Sequence, residues 1–153
     1  MNKLTIEQAN YIAGWVDGDG SIIAQLVSRH DYVLKYQIRI SVLFVQKKSR
    51  YHELLRFQSE IGAGVLRDRG DGIAELSIVG KNEVGQFLKQ IQPYLRNKQK
   101  QANLVLRICE QLEGVKNDPQ KFLELCEISD RISSLNDSKN RTVTTEVVKQ
   151  SYI

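Results

Sequence analysis

The sequence predicts an α+β protein: a four-stranded antiparallel sheet with helices on one face. Three observations predict it. Residues 21–28 and 35–46, and later 65–69 and 73–79, place apolar residues at every second position, the period of a half-buried strand. Gly70-Asp71-Gly72, between the last two runs, is a tight-turn sequence and makes them a hairpin. The segments around the hairpins instead repeat apolar residues at helical spacing. The order is helix, hairpin, helix, hairpin, helices. No linker divides the 153 residues, which read as a single domain, 1–153, with enough chain for its own core.

The first helix starts after Thr5, an N-cap with Gln8 placed to complete a capping box, and ends near Val16 because Gly18 and Gly20 follow. Asp17 and Asp19 therefore stand at a helix end where the macrodipole is already negative. A carboxylate there is unfavourable without a cation, and two of them point to a hard metal ion. In the next strand Ile22, Ala24 and Leu26 share one face and Ile23, Gln25 and Val27 the other. A hairpin through Arg29-His30-Asp31-Tyr32 leads to the second strand, where Tyr36, Ile38, Ile40, Val42 and Phe44 alternate with Gln37, Arg39, Ser41 and Leu43.

A helix over 49–61 carries Tyr51, Leu54, Leu55, Gln58 and Ile61 near one stripe and stops at Gly62. In the second hairpin Leu66, Ala74, Leu76 and Ile78 read as inward, and Arg67, Arg69, Glu75 and Ser77 as outward. Three more helices follow, over roughly 81–91, 97–112 and 118–135, the last capped by Asp118 with Pro119 at its first position. From Asn136 the tail is polar, basic at Lys139 and Arg141, and lacks apolar periodicity before Val147.

The 22 basic and 18 acidic side chains leave a net charge of +4, a moderate excess. Its distribution is more telling. Arg29, Lys35, Arg39, Lys47, Lys48 and Arg50 lie close together with Asp31 the only acid among them, and Arg96, Lys98, Lys100 and Arg107 follow a proline. Such clusters are either a solvated surface or a polyanion-binding one. The open sheet face bears on the choice. Gln25, Arg29, Gln37, Arg39, Ser41, Arg67, Arg69, Glu75 and Ser77 are suited to hydrogen bonding with base edges in a major groove, which admits a two-stranded ribbon. An ordinary hydrated face is richer in Lys, Glu and Thr.

Cys109 and Cys126 each sit among apolar residues on a predicted helix and read as buried free thiols of a reducing compartment. His30 and His52 stand apart without ligand spacing. No signal peptide, arginine-rich transit segment or membrane-length apolar run is recognisable, so the expectation is a soluble protein with no membrane partner that works where it is made.

Three chemistries use a segment like Asp17-Gly-Asp-Gly-Ser21. An EF-hand loop counted from Asp17 needs Gly and Glu where this chain has Ile22 and Ser28. A phosphate-cradling Walker loop needs a Lys after its glycines, and none follows. A metal site on a helix end remains. Tyr11-Ile-Ala-Gly-Trp-Val-Asp-Gly-Asp-Gly-Ser-Ile22 resembles the LAGLIDADG motif of homing endonucleases, in the helix-to-strand context that motif occupies. The resemblance runs on through Arg67-Asp-Arg-Gly70, Gln92-Pro-Tyr-Leu95, Lys98 to Leu106 and Leu135-Asn-Asp-Ser-Lys139, which are similar to single-motif enzymes encoded in algal chloroplast group I introns.

That resemblance implies an αββαββα domain working as a homodimer, with an organellar, chloroplast location. Tyr11, Ala13, Gly14, Val16 and Asp17 would lie at the dimer interface. Ala13 and Gly14 are small enough for two helix backbones to approach, although spacing alone also allows Gly14 to pack on this chain's own sheet. No second copy of the motif follows Ile22, so the second helix must come from another subunit, and a two-fold axis implies a nearly palindromic target.

Asp19, with the carbonyl of Gly18, is the implied metal site for Mg²⁺, with Mn²⁺ as a substitute and Ca²⁺ bound without cleavage. Asp17 is structural. Gln46, Arg50 and Lys98 match positions around the attacking water and the phosphate: the two cations meet developing negative charge, and Gln46 orders a water. Alternatively, the two cations are plain phosphate clamps. The DNA-contacting set is Ser21, Ile23, Gln25, Val27, Arg29, Tyr32, Gln37, Arg39, Ser41, Leu43, Arg67, Arg69, Glu75 and Ser77, with Lys47, Lys139 and Arg141 as backbone clamps. Val27 and Leu43 offer only apolar contact, for instance to thymine methyls. The implied activity is a site-specific, staggered double-strand cut in DNA. The competing readings are an intron maturase that binds its own group I intron RNA and a DNA-binding regulator without catalysis.

Overall fold

The computed structural model describes residues 1–136 and 140–153. Its elements are α1 (Ile6–Asp19), β1 (Gly20–Ser28), β2 (Tyr36–Lys47), α2 (Tyr51–Ile61), β3 (Val65–Asp68), β4 (Ile73–Val79), α3 (Lys81–Ile91), α4 (Gln99–Gln111), α5 (Pro119–Leu135) and α6 (Thr145–Ser151). The strands form one antiparallel sheet in the order β1-β2-β4-β3. The expected αββαββα core is present and is followed by α4, α5 and α6.

Thr5 starts α1 as expected, since its hydroxyl accepts from Gln8 N at 3.1 Å while the Gln8 side chain accepts from Thr5 N at 3.0 Å. Ala9, Ile12, Ala13 and Val16 then repeat at helical spacing and bury one stripe against the sheet. The inner sheet face answers with Ile22, Ala24 and Leu26, Ile38 to Phe44 at every second residue, and Ala74, Leu76 and Ile78. Phe44 lies between Phe57 of α2 and Phe87 of α3, with ring centroids 5.5 and 6.1 Å away. All helices contributing to this core pack on one face, and the other face of the sheet is open.

One boundary and one additional element differ from expectation for physical reasons. α1 runs through Asp19 rather than stopping near Val16. Its last carbonyls are satisfied from outside by Lys98, so the two glycines do not end the helix early. α6 was not predicted because it has seven residues and only Val148 is buried. It is held by tertiary contacts instead: Thr145 N donates to Asp130 Oδ2 at 3.0 Å, and the Tyr152 hydroxyl donates to the Leu34 carbonyl.

The free edge of β1 is covered. Ser129 Oγ donates to the Ala24 carbonyl and Asn136 Nδ2 to the Ile22 carbonyl, both at 2.7 Å. No helix among the described residues is long and apolar enough to cross a membrane.

Candidate active site and nucleic-acid interface

Three elements meet where α1 ends. The turn from α1 into β1 passes through Gly20, where a Cβ would lie 2.7 Å from the Val16 Cα, so only glycine fits. The Asp17 carboxylate accepts three backbone N–H groups that precede α4: Arg96 at 2.8 Å, Asn97 at 3.1 Å and Lys98 at 3.0 Å. Lys98 then turns back, and its Nζ donates to the Val16 and Asp17 carbonyls at 2.8 and 3.0 Å. A cation thus caps the negative end of α1. Burial pushes the Lys98 ammonium below the ordinary lysine range, opposed by the attraction of Asp17 and Asp19.

Asp19 is exposed, and its carboxylate has no hydrogen-bond partner among the described residues. Gly20 pairs with Phe44, which brings the end of α1 alongside the stretch of β2 that continues into Gln46. Gln46 lies on the inner face at 8% exposure, opposite Ala74. Arg50 ends the short 3₁₀ turn Lys48–Arg50 after β2, exposed and without a side-chain partner among the described residues. Gly18, Asp19, Gln46 and Lys98 are therefore gathered at one end of the sheet, with Arg50 on the segment leading away from it.

The open face carries the expected residues in register. Ser21 stands beside Leu43, which stands beside Ser77; Gln25 stands beside Arg39, Val27 beside Gln37, and Glu75 beside Arg67. Most outward arginines already have acidic partners. Arg67 lies 3.4 Å from Glu75 and Arg69 3.3 Å from Asp71, while Arg29 is bidentate on Asp31 at 3.1 and 2.9 Å. The Arg29 bond holds the Asp31 carboxyl below the ordinary carboxylate range. Arg39 and Lys47 are exposed without partners among the described residues. Tyr32 is exposed on the β1–β2 connection, and Ile23 is partly covered.

Ala13, Val16, Asp17, Ser41 and Arg141 lie otherwise than expected. Ala13 and Val16 are completely buried against this chain's own sheet and are not an interface surface. The outer stripe of α1 is instead Glu7, Asn10, Tyr11, Gly14 and Gly18, with Tyr11 56% exposed, and a Cβ on either glycine meets nothing within 4 Å. Asp17 spends its carboxylate on the 96–98 amides rather than on that stripe.

Ser41 points outward by register but is 8% exposed, recessed between Ile23 and Val79 on the neighbouring strands. Arg141 is not a free clamp. Its guanidinium donates to Asp130 Oδ1 at 2.9 Å, Ser129 Oγ at 2.8 Å and the Ala24 carbonyl at 3.2 Å, tying the tail to the edge of β1. Lys139 lies outside the described residues.

Sequence reasoning passed over several residues here. Lys48 pairs with Asp68 at 2.7 Å beside the active end of the sheet. Val45, Val65, Ile73 and Val79 add apolar surface to the open face. The period-two pattern that placed Arg39 and Leu43 outward places Val45 there too.

A family model described as LAGLIDADG endonuclease matches residues 12–110. The chain belongs to the LAGLIDADG endonuclease family. It is 47% identical over 139 residues to DNA endonuclease I-CreI of Chlamydomonas reinhardtii, covering 91% of this chain and 85% of the relative. DNA endonuclease I-CvuI of Chlorella vulgaris is 41% identical over 140 residues, 92% of this chain and 86% of that one.

The crystal structure of the homing endonuclease I-CvuI in complex with the I-CreI target, with magnesium present and the DNA not cleaved, matches with a TM-score of 0.91 at 40% identity. That match covers 94% of this chain and 91% of that chain. The homing endonuclease I-TnaI shares the fold at a TM-score of 0.75 and 22% identity, covering 94% and 95% of the two chains. The LAGLIDADG motif itself occupies the last turns of α1 and the start of β1, where Asp17, Gly18, Asp19 and Gly20 have the distinct surroundings described above.

Proposed function

We propose that this chain is a homodimeric homing endonuclease that makes a staggered double-strand cut in a long, nearly palindromic DNA site by divalent-metal-dependent phosphodiester hydrolysis. The observation that carries the reading is the end of α1: an exposed, unpartnered Asp19 carboxylate beside the Lys98 ammonium, opening onto a sheet face lined with Gln and Arg. Asp19 and the Gly18 carbonyl offer the hard oxygens that suit Mg²⁺. Among the described residues no three acidic, His or Cys side chains converge, so the remaining ligands fall to a second copy and the DNA. When bound, the metal supplies Lewis acidity toward the scissile phosphate and a water of lowered pKa. Mn²⁺ substitutes for it, and Ca²⁺ is held without cleavage.

The chain's own residues do the rest. Lys98 and Arg50 place positive charge near the phosphate where it becomes most negative, and Gln46 hydrogen-bonds and orders water. Two Asp19 carboxylates brought together at a two-fold axis repel each other unless a cation lies between them, which couples assembly to the metal. The open space over Gly14 and Gly18 on the outer stripe of α1 supports close packing against its own copy.

Apart from the recessed Ser41, the outward residues of the open sheet face contact bases or nearby phosphates, and Lys47 clamps the backbone. The two relatives above come from algae, which supports an algal chloroplast as the site of action. Incubation with a randomised double-stranded DNA library in Mg²⁺ and, separately, in Ca²⁺ tests the reading. The expected result is a two-fold-related set of cut sites in Mg²⁺ and selective binding without cutting in Ca²⁺. Failure to select any DNA, or enrichment of single-stranded RNA alone in a parallel selection, would overturn it.

A further inference from the structure

Arg29, one residue past the end of β1, is the most constrained outward arginine among the described residues. Its Nε and Nη2 donate to the two Asp31 oxygens at 3.1 and 2.9 Å, its Nη1 donates to Gln37 Oε1 at 3.0 Å, and its Cζ lies 4.6 Å from the Tyr32 ring centroid. The backbone of the turn is pinned as well, with Arg29 N donating to the Lys35 carbonyl at 2.8 Å and Lys35 N to the Tyr32 carbonyl at 2.9 Å. A guanidinium has five N–H donors. Three are used here, which leaves one on Nη1 and one on Nη2. Guanidinium N–H donors of this kind match guanine O6 and N7 in the major groove.

The alternative target, a phosphate, fits less well. Asp31 already neutralises the arginine, and its carboxylate would repel a phosphate oxygen at the same place. A neutral base edge carries no such penalty. The arginine also arrives with its rotamers fixed, so less conformational entropy is lost on binding.

We propose that Asp31 is a positioning residue that presets Arg29 to read a guanine in the outer part of each half-site. The inference rests on the reading of the open sheet as a DNA interface. Gln37, its oxygen occupied by Arg29, presents its amide donors beside the same base step. β1 runs nine residues from Gly20 to Ser28. At about 3.4 Å per residue, Arg29 lies about 31 Å from Gly20, or about nine base pairs outward from the cutting end.

The test compares cleavage by wild type, Asp31→Ala, Arg29→Ala and Asp71→Ala on the selected target, with each of the four bases placed in turn at the outer positions. Wild type is expected to prefer guanine at one of these by about tenfold or more. Asp31→Ala keeps the arginine and adds net positive charge; it should bind DNA at least as tightly while losing about tenfold in that preference. Arg29→Ala should lose the preference too, and Asp71→Ala should keep it. An unchanged preference in Asp31→Ala, or an equal loss on all four bases in Arg29→Ala, would overturn the inference while specific cleavage left the endonuclease reading standing. A wild-type protein that selects no DNA would remove both.

Discussion

Asp17 and Asp19 sit one turn-end apart in chemistry although only Gly18 separates them. Asp17 accepts three amide hydrogens and fixes the segment that carries Lys98, whereas the exposed Asp19 accepts nothing among the described residues. The carboxylate of Asp17 acts like an N-cap supplied from another helix, and loss of such a cap costs about 1–2 kcal/mol. Asp17→Ala is therefore expected to lower the unfolding free energy by about that amount in urea titration, with Asp17→Asn intermediate because one neutral oxygen still accepts. A variant as stable as wild type that has lost cleavage would instead make Asp17 a metal ligand. Arg141 shows the same division on the tail, since a guanidinium bonded to Asp130, Ser129 and Ala24 is a fastener for β1.

Among the elements, those with their own local signal were legible in the sequence. The Thr5–Gln8 capping box, the Gly70-Asp71-Gly72 turn, the Asp118–Pro119 start and the alternation of β2 all appear where the residues dictate. The end of α1 was misread because Lys98, which satisfies its last carbonyls, is remote in sequence. α6 depends on Asp130 and Leu34, so no local period reveals it. Ala13 and Val16 were misassigned because a small residue suits a helix contact on either side, and only packing decides which.

The helices also set thiol chemistry. Burial pushes Cys109 up to about 11 and Cys126 up to about 12. A thiol raised in this way is protonated through neutral pH and loses its proton only as the pH rises past these values. Native protein at pH 8 should thus react slowly with iodoacetamide and label fully only after unfolding. Rapid labelling of both cysteines in the folded protein would contradict the packing of α4 and α5.

At the scale of the whole molecule, the proposed dimer would have each chain carry half a site and complete it through the exposed face of α1. Gly14 and Gly18 leave the C-terminal half of the outer stripe of α1 without side chains, and a Cβ at Gly14 meets nothing within 4 Å among the described residues. Gly14→Leu should therefore fold, with the helix somewhat favoured by propensity, yet sediment as a monomer at micromolar concentration and lose double-strand cutting. A Gly14→Leu protein that remains dimeric and active would place the dimer contact elsewhere.

In the proposed dimer, Asp19 from each copy makes one metal-dependent cutting centre apart from the surface that chooses the DNA. Asp19→Asn, tested for both target binding and cleavage in Mg²⁺, addresses it most directly. Selective binding close to that of wild type, with no detectable cleavage of either strand, is the expected result. A variant that still cuts in Mg²⁺ would contradict it.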